Sequence, residues 1–122
     1  MTYPLHCDKM VKSKRYIKYR KDTDIMQKLH SDSADKLFKA ILSLENIDEC
    51  YDFFEDLCTI KELRDLSLRL KVAAMLKNGK SYQEVTKETG VSAATICRVN
   101  KCLTYGNGYK NVLEKNKEET QD

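Results

Sequence analysis

The stretch from Ser81 to Leu103, SYQEVTKETGVSAATICRVNKCL, leaves the chain little choice of fold. Ser81 and Glu84 have the spacing of a capping box, in which each side chain satisfies an unpaired backbone N–H at a helix start. Gly90 supplies the left-handed conformation that a side chain opposes, and so ends that first helix. Beyond it, Ile96, Val99 and Leu103 recur at helical spacing and predict the inward face of a second helix from Ala93 to Leu103. Two short helices joined by a glycine turn form a helix-turn-helix, a unit that sets its second helix against the major groove of DNA.

The same logic extends upstream. Leu37, Phe38, Ile41 and Leu42 give an amphipathic helix from Ala34. Asn46 with Glu49 forms another capping box, opening a helix expected to bury Cys50, Phe53, Phe54 and Leu57. Thr59 with Glu62 forms a third, opening a longer helix through Leu63, Leu66, Leu70, Ala73 and Ala74 that Gly79 closes. The segment Tyr105-Gly-Asn-Gly108 breaks the second reading helix, and Tyr109 to about Lys117 forms a short last one. An all-α chain of about six helices follows, consistent with a single proline at position 4. The 122 residues suffice for one core. The expected organisation is an arm over 1–33, a helical domain over 34–117 with its helix-turn-helix at 81–103, and a polar tail over 118–122. The longest uninterrupted apolar run is Val72 to Leu76, so no membrane span or signal peptide is expected. Five cysteines with no C-x-x-C pair read as small reduced thiols in a cytoplasmic protein.

Charge is distributed unevenly along the chain. Residues 1–31 hold eight Lys or Arg against three Asp, residues 32–76 six against ten acidic groups, and residues 77–110 six against two. Positive charge thus gathers on the proposed reading head and the amino-terminal arm, as expected of a surface that replaces phosphate counterions. The arm, with its basic stretch KSKRYIKYRKD, could touch DNA, wrap a partner subunit or have no role. Enzymatic chemistry has no support, since no metal-spaced Cys or His cluster, glycine-rich phosphate loop or nucleophile motif is present. The competing reading is a protein-interaction module that uses the helix-turn-helix only for packing, and the acidic middle region favours it.

The second helix divides into faces around its apolar stripe. Ala94, Cys97 and Lys101 form one stripe which, with Ala93 at the helix start, would face base edges. Small side chains there allow close approach, and contact with a thymine methyl is the direct readout that alanine offers. Lys80, Gln83, Thr86 and Lys87, from the first reading helix and the residue before its cap, complete the candidate DNA contacts. Thr95, Arg98 and Cys102 form a third stripe, expected to turn toward the preceding long helix. A helix-turn-helix gains affinity and register by reading two half-sites, so a homodimer on double-stranded DNA is expected.

From about Ala34 to Lys115, through LFKAILSLENIDECYDFFEDLCTIKEL and GVSAATICRV, the chain resembles the tryptophan-repressor family, specifically its YerC/YecD-type branch. The resemblance implies an intertwined homodimer and a transcription regulator whose reading head responds to a small corepressor. It places Arg98 and Arg69 on either side of that effector, with Thr59 and Thr95 as the pocket threonines. Two positions depart from the tryptophan-binding pattern. Val99 stands where those members have glycine and occludes the pocket, and Cys102 replaces a serine that accepts the effector's amino group. The resemblance therefore implies DNA binding without a tryptophan response, leaving another small-molecule corepressor open; no cofactor or metal is otherwise expected.

Overall fold

The computed structural model describes residues 30–117, and among these residues it has six α-helices and no strand. They are α1 (Asp32–Leu42), α2 (Ile47–Leu57), α3 (Ile60–Lys77), α4 (Tyr82–Thr89), α5 (Ala93–Tyr105) and α6 (Gly108–Lys115). Residues 1–29 of the arm expected over 1–33, and the whole expected tail over 118–122, lie outside the described residues. Side-chain caps set most of the helix starts. Ser31 caps α1 by accepting from the Ala34 N–H at 3.0 Å, so the helix begins two residues before the expected Ala34. Thr59 and Glu62 make both bonds of their box, each at 3.1 Å.

The box at α2 is altered. Asn46 accepts from the Glu49 N–H at 2.9 Å, but the Glu49 carboxylate reaches past Asn46 and accepts from the Glu45 N–H at 2.6 Å. Two orphan donors are satisfied all the same, which is what fixes the helix start.

Two units meet within α3, at Arg64 and Asp65. In residues 30–64 neither α1 nor α2 has a fully buried residue. Phe53 and Phe54 stack edge-to-face with centroids 5.7 Å apart and are half-buried. Cys50 is exposed and Leu57 is 48% exposed, so the burial expected of these four is not achieved within one chain. Phe38, Leu42, Ile47, Tyr51 and Ile60 are also exposed. Helices of eleven residues are marginal in water unless an apolar face is covered, and these faces stand open.

The core lies in residues 65–117. Val72, Ala73, Met75 and Leu76 of α3 pack with Tyr82 and Val85 of α4 and with Ile96, Cys97 and Val99 of α5. Leu103, Tyr109 and Leu113 close it from the far side of α5 and from α6. Of the predicted inward stripe of α5, Ile96 and Val99 are buried and Leu103 is half-buried against the core. The end of α3 is a Schellman turn: the Gly79 N–H bonds the Leu76 carbonyl at 3.1 Å and the Lys80 N–H bonds the Met75 carbonyl at 3.0 Å. Gly79 takes φ 87° to make this possible, and the turn delivers the chain into α4. One long-range and one local hydrogen bond tie α6 to the helices before it. Lys77 of α3 donates to the Glu114 carboxylate at 2.6 Å, and Lys110 donates to the Thr104 carbonyl of α5 at 3.0 Å.

Candidate nucleic-acid interface

The reading head is built outward from its turn. Ser81 accepts from the Glu84 N–H at 3.2 Å while the Glu84 carboxylate accepts from the Ser81 N–H at 2.7 Å, the capping box expected from sequence. These bonds, led by that from the Ser81 backbone, hold the Glu84 carboxyl below the ordinary glutamate range. Gly90 ends α4 at φ 73° with its N–H on the Thr86 carbonyl at 2.8 Å. Thr89, which the sequence did not single out, clasps this turn. Its hydroxyl donates to the Val85 carbonyl at 2.6 Å and accepts from the Val91 N–H at 3.3 Å. Short side chains that bond nearby backbone are favoured in such turns, and a threonine just before a turn glycine is the signal that could have found it.

Ser92 then caps α5 by accepting from the Thr95 N–H at 3.2 Å, and its hydroxyl lies 3.0 Å from the Thr95 hydroxyl. The pocket threonine implied by the resemblance is thus committed to starting the reading helix. Thr59 is similarly committed to its box with Glu62.

Of the eight residues expected at DNA, six are exposed: Lys80, Gln83, Thr86, Lys87, Ala93 and Ala94. Gln83, Thr86, Lys87 and Ala93 converge on one open niche of about 340 Å³, with Tyr82 and Ile96 as its other walls and an almost wholly apolar lining. A second, more polar depression of about 590 Å³ runs beside it along Gly79, Ser81, Gln83, Glu84 and Lys87. The remaining two residues depart from the expected stripe. Cys97 is 1% exposed as part of the core, and Lys101 is 6% exposed, its ammonium held below the ordinary lysine range by loss of solvent. Cys50, Cys58 and Cys102 are free thiols, as the sequence predicts.

The third stripe of α5 is more open than expected. Arg98 and Cys102 are exposed and Thr95 is half-buried. Arg69 of α3 is also exposed, while Val99 is 3% exposed and belongs to the core. Tyr109 of α6, absent from the residues chosen by sequence, is half-buried against that core. Burial pushes its hydroxyl up, as does neighbouring Cys102, and the positive charges of Arg69 and Arg98 act in the opposite direction. Both arginines implied by the resemblance thus lie within electrostatic reach of one aromatic side chain of the protein itself. A tyrosine in the first turn of a short terminal helix carries no local pattern that announces this placement. Among the described residues no group of His, Cys, Asp and Glu could hold a metal, and no helix is long and apolar enough to cross a membrane.

Comparison with known proteins gives one answer at three levels. The profile of the family described as Trp repressor protein matches residues 32–117. The chain is 50% identical over 94 residues to YerC of Bacillus subtilis (strain 168), a protein described as uncharacterized, and the match spans 76% of this chain and 90% of that protein. A crystal structure of a TrpR-like protein from Eubacterium eligens ATCC 27750 superposes with a TM-score of 0.71 at 50% identity, covering 73% of this chain and 93% of that one. A Trp repressor candidate from Staphylococcus aureus superposes with a TM-score of 0.70 at 47% identity, covering 74% and 91%.

Proposed function

Because this chain belongs to the Trp repressor family, we propose that it is a sequence-specific transcription regulator that binds double-stranded DNA as a homodimer and does not respond to tryptophan. The observation that carries DNA binding is the convergence of Gln83, Thr86, Lys87 and Ala93 on one exposed face at the α4–α5 turn. Lysines at the rim meet phosphates, while the start of α5 approaches base edges. Charge along 77–110, six basic residues against two acidic, favours DNA over a purely packing role. Such a regulator works where the chromosome is, in the cytoplasm.

Dimerisation is supported by the open apolar faces of α1 and α2. Phe38 is 58% exposed, Leu42 83% and Ile47 72%, a pattern that a second copy of the chain would cover. Independence from tryptophan is supported by the side chains around the corepressor position. The Val99 side chain is already packed in the core, and Thr95 is engaged by Ser92. A small site loses its ligand when one apolar group fills it.

The test is selection of duplexes from a random pool, followed by affinity measured against salt. A DNA-binding dimer yields a consensus with two related half-sites, and its affinity falls steeply as salt rises. Failure to bind any duplex at low ionic strength overturns this reading and favours the protein-interaction module.

A further inference from the structure

We infer that the apolar niche between α4 and α5 receives the 5-methyl group of a thymine, and that Ala93 is the residue through which this protein distinguishes thymine from other bases. The inference rests on the DNA-binding reading and names what one part of that surface recognises. The niche is an open depression of about 340 Å³ whose exposed lining is almost wholly apolar, although Gln83, Thr86 and Lys87 stand around it. On a reading head such a surface is unusual, because phosphates and most base edges present hydrogen-bonding groups. The thymine methyl is the apolar group that the major groove offers.

The placement fits that occupant. Ala93 is the first residue of α5 and is exposed, so its methyl group stands at the end of the helix that leads into a groove. Behind it Ile96 is fully buried and Tyr82 is 8% exposed, which makes the floor of the niche a fixed part of the core rather than a mobile surface. Lys87 borders the niche, giving its rim a charge complementary to a phosphate backbone. Two acidic groups adjoin the niche in sequence: Glu84, engaged at the Ser81 N–H, and Glu88, exposed next to Lys87. Water over an apolar depression is released when a methyl group takes its place, and that release is the source of the discrimination.

The experiment uses the full chain and the duplexes selected from a random pool. Each thymine of the consensus is replaced in turn by deoxyuridine, which removes the methyl group and leaves the hydrogen-bonding edge unchanged. Wild-type protein is expected to lose about fourfold in affinity at one thymine in each half-site, the effect of withdrawing one buried carbon. Ala93→Gly is expected to bind the uridine and thymine duplexes within twofold of each other, and circular dichroism confirms that it is folded. A duplex that is bound tightly but shows no loss at any thymine overturns the inference while leaving DNA binding intact, as does a consensus without thymine. A loss that persists unchanged in Ala93→Gly places the methyl group elsewhere and also overturns it. Absence of duplex binding defeats the underlying reading instead.

Discussion

Leu42→Ala tests whether a second copy covers the first helices. Leu42 ends α1 and is 83% exposed within one chain, so in an isolated monomer its truncation changes almost nothing. In a symmetric dimer the same side chain is buried twice. Truncation removes three carbons, worth about 0.8 kcal/mol each when fully buried, and scaling by the 83% left open gives about 2 kcal/mol per protomer. Both protomers together lose about 4 kcal/mol, which corresponds to about a thousandfold rise in the dimer dissociation constant. Sedimentation equilibrium over a wide range of protein concentration reads this directly, with circular dichroism confirming that the helices remain. Uncompensated association costs make the figure an upper bound, but a tenfold change would still be resolved. A wild-type chain that stays monomeric at high concentration refutes the dimer. A dimer whose dissociation constant moves by less than tenfold refutes the assignment of α1 to its interface.

The other predictions concern the turn, the caps and the reading head. Gly90→Ala should cost about 1–2 kcal/mol in urea unfolding through its φ of 73° alone, since an added Cβ would meet nothing within 4 Å. Gly106→Ala should also destabilise the fold, but for lack of space: its Cβ would sit 2.7 Å from the Cys102 carbonyl oxygen, and Asn, which tolerates left-handed φ, should partly rescue position 90 and not 106. Stability should fall on acidification. Glu62 and Glu84 are held below the ordinary glutamate range by hydrogen bonds from Thr59 and Ser81, so their contribution is full above the unfolded-state value near about 4.3 and is lost as pH drops through the lowered folded values. Thermal melts across that range should show the decline, and Glu84→Gln should flatten it. Lys87→Ala should weaken binding to all duplexes alike and reduce the slope of log affinity against log salt by about 1, whereas an unchanged slope would remove Lys87 from the phosphate contacts.

Helix starts were legible because capping is local. Ser81 with Glu84 and Thr59 with Glu62 lie three residues apart, and nothing distant is needed for their side chains to reach the backbone. Gly79 and Gly90 were legible for a similar reason, since a positive φ is a property of one residue. The stripe Ile96, Val99 and Leu103 followed from helical periodicity and proved to be the face turned to the core.

What the sequence by itself determined, then, is where helices begin, end and turn, because those choices are made within four residues by hydrogen bonds and backbone sterics. Tertiary structure decided which polar and small side chains are free to act. Ala94, Cys97 and Lys101 form one stripe on paper, yet only Ala94 is exposed: Cys97 packs in the core with residues of α3 and α4, and Lys101 is buried. Tyr109 comes within reach of Arg69 and Arg98 through the packing of α6 on the core, a placement set by contacts between residues far apart in sequence. The apolar niche beside Ala93 likewise exists only where α4 and α5 meet, since neither helix alone encloses it.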